Sequence, residues 1–345
     1  MTMEHCESVR SLSSLQHAAV LTATLLVTGA PEHAVSAAPA RLAVFYGYPS
    51  AVNGANGSLE QATRAFADYD VIVLGDGLQL TATGPASTPH PDRAFTVRLI
   101  ERLHQSARRP RIYGYIDLGN SQSLSGAEIV RRIGQWAAMG VDGIFFDEAG
   151  FDYGVRRERQ NDAVLATHTH SLSAFLNAFQ PADVFGTAAV PLNAVGGGNP
   201  LGVAPVVTDR DLYLLESFAV RNGSPEAAAP LAARTRAALA GRQAFGTRIF
   251  GVATSDGTDG NPALSAYAWW TAALFGIDGY GWGTPNYSAT TSRLTFVPPP
   301  ADEARLRTAA YIGEADVTSV RWRRTTTLGT ISVDPAARGG ALVPR

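Results

Sequence analysis

M-G-V-D-G-I-F-F-D-E-A-G-F-D-Y, residues 139–153, carries a short apolar run, Val141 to Phe146, closed by two adjacent acids, Asp147 and Glu148. The run is bounded by glycine and rich in β-branched and aromatic side chains, the composition of a fully buried strand. A helical pattern, Ala127–Met139, leads into it and another begins at Arg157. A buried parallel strand between two helices belongs to an α/β barrel or a doubly wound sheet. In both, ligands collect at the C-terminal edge of the strands. Asp147 stands at that edge.

Working outward, further apolar runs occur at Ala43–Tyr48, Val71–Leu74, Ile112–Ile116, Val184–Val190, Leu212–Leu215, Ile249–Ala253 and Gly279–Trp282. Helical patterns lie between most of them: Leu59–Ala67, Ala94–Ser106, Arg157–Phe179, Pro225–Arg242 and Pro262–Phe275. Eight strands alternating with helices predict a (β/α)8 TIM barrel over 41–297, with a doubly wound sheet as the alternative. The link between the fifth and sixth strands reads mostly as loop, with G-G-G-N-P at Gly196–Pro200. Beyond P-P-P at Pro298–Pro300, a helical pattern (Asp302–Ile312) and the strand-like Arg321–Val333 predict a C-terminal extension over 298–345. The terminal L-V-P-R resembles a protease cleavage site and is set aside. Trp269-Trp270, inside a helical run, read as outer-layer packing.

A chain of 345 residues with 46% hydrophobic residues is ample for one barrel of roughly 250 residues plus extensions. A net charge of −2 offers no attraction for nucleic acid or an anionic membrane. All 28 basic residues are arginine, so no amine is present for Schiff-base chemistry. The single cysteine, Cys6, excludes a disulfide framework. An apolar run within Leu15–Ala30, followed by A-V-S-A-A-P-A at Ala34–Ala40, resembles a secretory signal with a small-residue cleavage site near Ala37 or Ala38. Residues 1–40 are therefore expected to be a signal or a disordered segment, and the protein secreted or held at the cell surface. The run is too short to span a bilayer. A monomer is expected.

The residues that follow each strand converge on one mouth in a barrel. That rim gathers Asp76, Asp117, Asp147, Glu216 and Asp256, the amide Asn193, and the aromatics Tyr46, Tyr48, Trp282 and Tyr287. Carboxylates accept hydrogen bonds from hydroxyls and aromatic faces stack on sugar rings, so the set suits a neutral polyol. Glycoside hydrolysis needs one ionised and one protonated carboxyl. Asp147 and Glu216, after the apolar strands G-I-F-F and L-Y-L-L, are the natural pair. The side chain of Glu148 is expected on the opposite face from Asp147, in a structural role. The same rim acids could instead hold Mg²⁺ in a metal-dependent lyase or hydrolase. A sugar-binding barrel without catalysis would keep the aromatics and tolerate loss of either acid. Zinc is disfavoured, because His168 and His170 face apart on a helix and His90 and His104 have no matching partner.

Three segments carry a family resemblance: Tyr46-Gly47-Tyr48-Pro49, G-V-D-G-I-F-F-D-E at Gly140–Glu148, and L-Y-L-L-E-S at Leu212–Ser217. The chain resembles the spherulin-4-like and endo-α-1,4-polygalactosaminidase glycoside hydrolases over roughly Arg41 to Tyr287. The resemblance implies a TIM barrel, and no cofactor is expected. It implies Asp147 as nucleophile, Glu216 as acid/base, and a galactosamine-containing exopolysaccharide cut internally with retention. Glu148 departs from members that have asparagine after the catalytic aspartate.

Overall fold

The computed structural model describes residues 36–82, 88–257, 261–283, 291–318 and 320–345. Cys6, the apolar run of the N-terminal segment and Tyr287 lie outside them. Eight parallel strands close a barrel: β1 (Ala40–Phe45), β2 (Val71–Leu74), β3 (Arg111–Asp117), β4 (Gly143–Asp147), β5 (Ser173–Asn177), β6 (Leu212–Leu215), β7 (Arg248–Thr254) and β8 (Gly279–Gly283). Around it run α1 (Leu59–Phe66), α2 (Arg93–His104), α3 (Gly126–Ala137), α4 (Arg157–Thr169), the short α5 (Pro181–Phe185), α6 (Ala228–Phe245) and α7 (Pro262–Phe275). The fold is the expected (β/α)8 barrel. Among the described residues, no helix is long and apolar enough to cross a membrane.

Side-chain alternation along each strand divides the core in two. One apolar cluster fills the barrel: Leu42, Val71, Val73, Tyr113, Phe145, Phe175, Leu212, Leu214, Phe250 and Val252. A larger cluster joins the outward faces of the strands to the helices. Glycines admit bulky neighbours: a Cβ on Gly279 would stand 2.0 Å from the Phe250 ring, and one on Gly114 would stand 2.1 Å from the Trp136 indole. Trp136 is fully buried and its Nε1 donates to Tyr115 O at 3.0 Å. Gly114→Ala should therefore destabilise the fold by about 1–3 kcal/mol, read as a lower denaturant midpoint at unchanged slope. An unchanged midpoint would mean that the indole shifts freely.

Four aspartates brace the bottom of the barrel in one repeated way. Asp70, Asp142, Asp211 and Asp278 each precede an even-numbered strand. Their carboxylates accept from the backbone N–H of Arg41, Ile112, Ala174 and Ile249, on the four odd-numbered strands, each at 2.8 Å. Each is also held by a basic side chain: Arg108 at 2.7 Å, His104 at 2.9 Å, His168 at 2.9 Å and Arg242 at 3.3 Å, respectively. Two of the histidines weighed as zinc ligands thus serve as braces. Because a one-residue slip would turn every inward side chain outward, this end-on pinning protects the register that aims the top of each strand.

One strand departs from the sequence reading. The fifth strand is Ser173–Asn177, not Val184–Val190, and the helix expected to run to Phe179 stops at Thr169. His170 and Ser171 make the break, with Ser171 at φ 61°. Val184 and Phe185 belong instead to α5, started by Pro181 at its first turn. Beyond the barrel, α8 (Glu303–Leu306) is shorter than the helix expected there. Arg41 fixes it through Nη2 to Glu303 Oε2 at 2.6 Å and Nε to Oε1 at 3.1 Å.

The chain then forms an antiparallel sheet, β9 (Tyr311–Asp316), β10 (Trp322–Thr326), β11 (Gly329–Asp334) and β12 (Gly339–Pro344). The sheet covers α7. Trp322 meets Phe275 edge-on at 5.6 Å, and Gly340 lies against Trp270. That second layer accounts for a helix apolar all round, with Trp269 and Trp270 both buried. The L-V-P-R tail is part of this sheet, Val343 pairing with Thr330.

Candidate active site

Parity places the acids. On β3 the inward residues are Tyr113, Tyr115 and Asp117, on β4 Phe145 and Asp147, and on β5 Phe175 and Asn177. Asp117 and Asp147 are register partners at the top of adjacent strands, and Glu216 follows β6. The residue after each of the two principal acids is left-handed: Glu148 at φ 52° and Ser217 at φ 53°. Non-glycine residues rarely adopt this conformation, and such strain concentrates where a side chain must be aimed. Here it ends the strand abruptly, with the acid as its last inward residue.

Asn177, absent from the expected set, is the link. Its Nδ2 donates to Asp147 Oδ1 at 2.7 Å and to Glu216 Oε2 at 3.2 Å. Those two oxygens are therefore at most 5.9 Å apart, the two legs laid end to end. Asp147 Oδ1 also accepts the Glu148 N–H at 3.0 Å. The Tyr115 hydroxyl lies beside the same carboxylate, and its ring meets Tyr46 edge-on at 5.0 Å. Burial pushes the Asp147 pKa up to about 6; the Asn177 hydrogen bond opposes the rise and the Glu216 charge adds to it. Asp117 is 1% exposed with Oδ1 buried and unpartnered. Its pKa is also raised to about 6, by burial first and then by Glu148 and Asp147.

The other expected residues scatter. Glu148 turns to the neighbouring loop, accepting from the backbone N–H of Ser121 at 3.1 Å and from its hydroxyl. Asp76 accepts from Gln122 Nε2 at 2.7 Å and from Arg132 Nη1 at 3.1 Å, so it ties two loops together. Asp256 is exposed beside Gly223. Tyr48 is 42% exposed and set edge-on to His90.

Two assignments need correction. Asn193 does not follow the fifth strand: it lies in the long loop after α5, where its Nδ2 donates to Phe151 O at 2.8 Å. Trp282 belongs to the outer cluster and is 8% exposed, because Gly281 and Gly283 take the inward positions of β8. Its ring is not at the mouth.

Asn177 was hidden by the merging of strand and helix. The short apolar run A-F-L at 174–176, flanked by Ser173 and Asn177, is the signal the sequence offers for this strand. Among the described residues, no three His, Cys, Asp or Glu side chains are grouped as a metal ion would require.

No protein-family model matches the chain, and no curated protein matches its sequence. Solved structures share the barrel at low similarity. An endo-beta-1,4-glucanase from Xanthomonas axonopodis pv. citri is 13% identical, with 78% of this chain and 97% of that chain covered at a TM-score of 0.43. A chitinase from Pseudoalteromonas aurantia is 10% identical, with 73% and 97% covered at 0.43. A 3-dehydroquinate dehydratase from Geobacillus kaustophilus is 14% identical, with 78% and 90% covered at 0.42.

Proposed function

We propose that the chain is a retaining glycoside hydrolase, exported or displayed at the cell surface, that cuts within α-linked galactosamine- or N-acetylgalactosamine-containing exopolysaccharide. The observation that carries this reading is the Asn177 bridge, with its 5.9 Å limit on the separation of the two carboxylate oxygens. Retaining enzymes hold their carboxyl groups about 5–5.5 Å apart, whereas inverting enzymes need about 6.5–9.5 Å to admit water. The bridge favours the shorter class. The substrate class is drawn from the family resemblance of the three motifs.

In this mechanism the ionised Asp147 attacks the anomeric carbon as the glycosidic C–O bond breaks. Glu216 gives its proton to the departing oxygen. Glu216, now a carboxylate, takes a proton from water, whose oxygen bonds to the anomeric carbon and releases Asp147. Asn177 keeps the two acids in register through both steps. The Glu148 N–H and Tyr115 hydroxyl steady the Asp147 charge before attack.

The test is anomer analysis by NMR on α-1,4-linked galactosamine and N-acetylgalactosamine polymers. The first-formed reducing ends should be α. A β product would rule out retention, and no release from either polymer would rule out the proposed substrate.

The pH dependence carries a second test. Asp147 must be ionised, so kcat/KM should fall about tenfold per pH unit below about 6. Asn177→Ala removes a donor that favours the charged form, so the limb should move to higher pH, with activity reduced about 10- to 100-fold. A limb left unmoved in this variant would mean that Asn177 does not tune Asp147.

A further inference from the structure

Tyr153 is an exposed aromatic ring on a fixed backbone near Glu148, the residue that follows Asp147. It ends a single 3-10 turn, Phe151–Tyr153, and is 44% exposed. The turn is clamped on both sides. Phe151 N donates to Asp183 Oδ2 at 2.9 Å, and Phe151 O accepts from Asn193. Gly154 closes the turn at φ 76°, where a Cβ would lie 2.7 Å from Val195 O and 2.2 Å from Asn120 Nδ2. Facing it, a Cβ on Gly119 would lie 2.9 Å from Tyr153 Cβ and 2.7 Å from Glu148 Cβ, so the ring root sits against the end of β4. Burial, and after it the charges of Glu148, Glu216, Asp152 and Asp147, raise the pKa of the Tyr153 hydroxyl above its ordinary value. Among the described residues, that hydroxyl has no hydrogen-bond partner and the ring no aromatic neighbour.

The loop behind the turn is a hairpin, pinned by the Val190–Asn199 bridge and by Asn193 Oδ1 accepting from Val195 N at 3.1 Å and Gly197 N at 3.0 Å. Its tip exposes Leu192 (41%) and Val195 (52%). The stretch 187–207 contains no charged residue. An exposed aromatic face can take the C–H face of a pyranose without costing the sugar its hydroxyl hydrogen bonds. Trp282 cannot take this part, being buried in the outer layer, and Tyr46 lies within the barrel.

We propose that Tyr153 is the stacking platform for the sugar ring adjoining the cleavage point, with the hairpin tip at Leu192 and Val195 as its apolar border. The inference rests on the glycoside hydrolase reading and adds the residue that sets substrate affinity. The test is calorimetry with soluble oligosaccharides of α-1,4-linked galactosamine and N-acetylgalactosamine, in an Asp147→Asn background that prevents turnover. Adding Tyr153→Ala should weaken Kd about tenfold or more, while Tyr153→Phe should stay within about threefold. In the active enzyme, Tyr153→Ala should raise KM by a similar factor and leave kcat within about twofold, with an unchanged melting temperature. Equal affinity with and without the ring overturns the platform and leaves the hydrolase intact. Loss in Tyr153→Phe as large as in Tyr153→Ala overturns stacking in favour of the hydroxyl. Absence of any binding by Asp147→Asn overturns both the platform and the reading beneath it.

Discussion

Asp147→Asn should abolish turnover while leaving a more stable protein. The amide is nearly isosteric and still accepts from Asn177 and from the Glu148 N–H, but it cannot form the glycosyl ester. Removing a covalent nucleophile costs on the order of 10⁴-fold or more in kcat. The stability change follows from the raised pKa. A carboxyl at about 6 in the fold, against an ordinary value of 3.8, binds its proton more tightly folded than unfolded. Its ionised form therefore opposes folding above about pH 6, and the penalty fades as pH falls from 6 toward 3.8. At pH 7 the penalty is on the order of 1–3 kcal/mol, and an uncharged asparagine escapes it. Chemical denaturation at pH 7 and pH 5 should show the variant ahead at pH 7 and the gap narrowed at pH 5. Near-full activity in Asp147→Asn would remove the nucleophile from the mechanism. Lower stability at pH 7 would mean that the carboxylate is well solvated.

Glu216→Ala should separate the two half-reactions. Without its proton donor, cleavage of the polysaccharide should fall about 10²- to 10⁴-fold. Aryl glycosides with acidic leaving groups should lose far less in the first step, since their departure needs no proton. The covalent intermediate should then accumulate, because nothing activates water. Azide, already a nucleophile, should restore turnover by bonding to the anomeric carbon as Asp147 leaves, giving an α-glycosyl azide. A β-azide would point to direct displacement and inversion. Polymer cleavage near the wild-type rate would strip Glu216 of its acid/base role.

Much of this architecture could be read locally. G-I-F-F-D and L-Y-L-L-E announce buried strands ending in acids, and alternation alone puts Asp147 on the same face as Phe145. The same rule, applied to G-Y-G-W-G, would have sent Trp282 outward, since the glycines hold the positions of closest approach. The four bracing aspartates also stand in the sequence, each one residue before an even strand or its first apolar residue. They become recognisable as a set only when each carboxylate is seen on the neighbouring strand's N–H. The fifth strand was obscured because the pattern of α4 runs into S-L-S-A-F-L-N with no glycine or proline between them.

Seven of the eight strands and the acids that follow them are properties of short segments, governed by the period-two geometry of a strand, and the chain alone determined them. Which side chains meet across the mouth depends on barrel closure and stagger, which join residues far apart in the chain. Only the closed barrel brings Asn177 between Asp147 and Glu216, ties Asp76 to Arg132 and Glu148 to Ser121, and leaves Tyr153 bare at the rim. Hydrogen bonds act over about 3 Å, and no local pattern reports distances of that kind between separate strands.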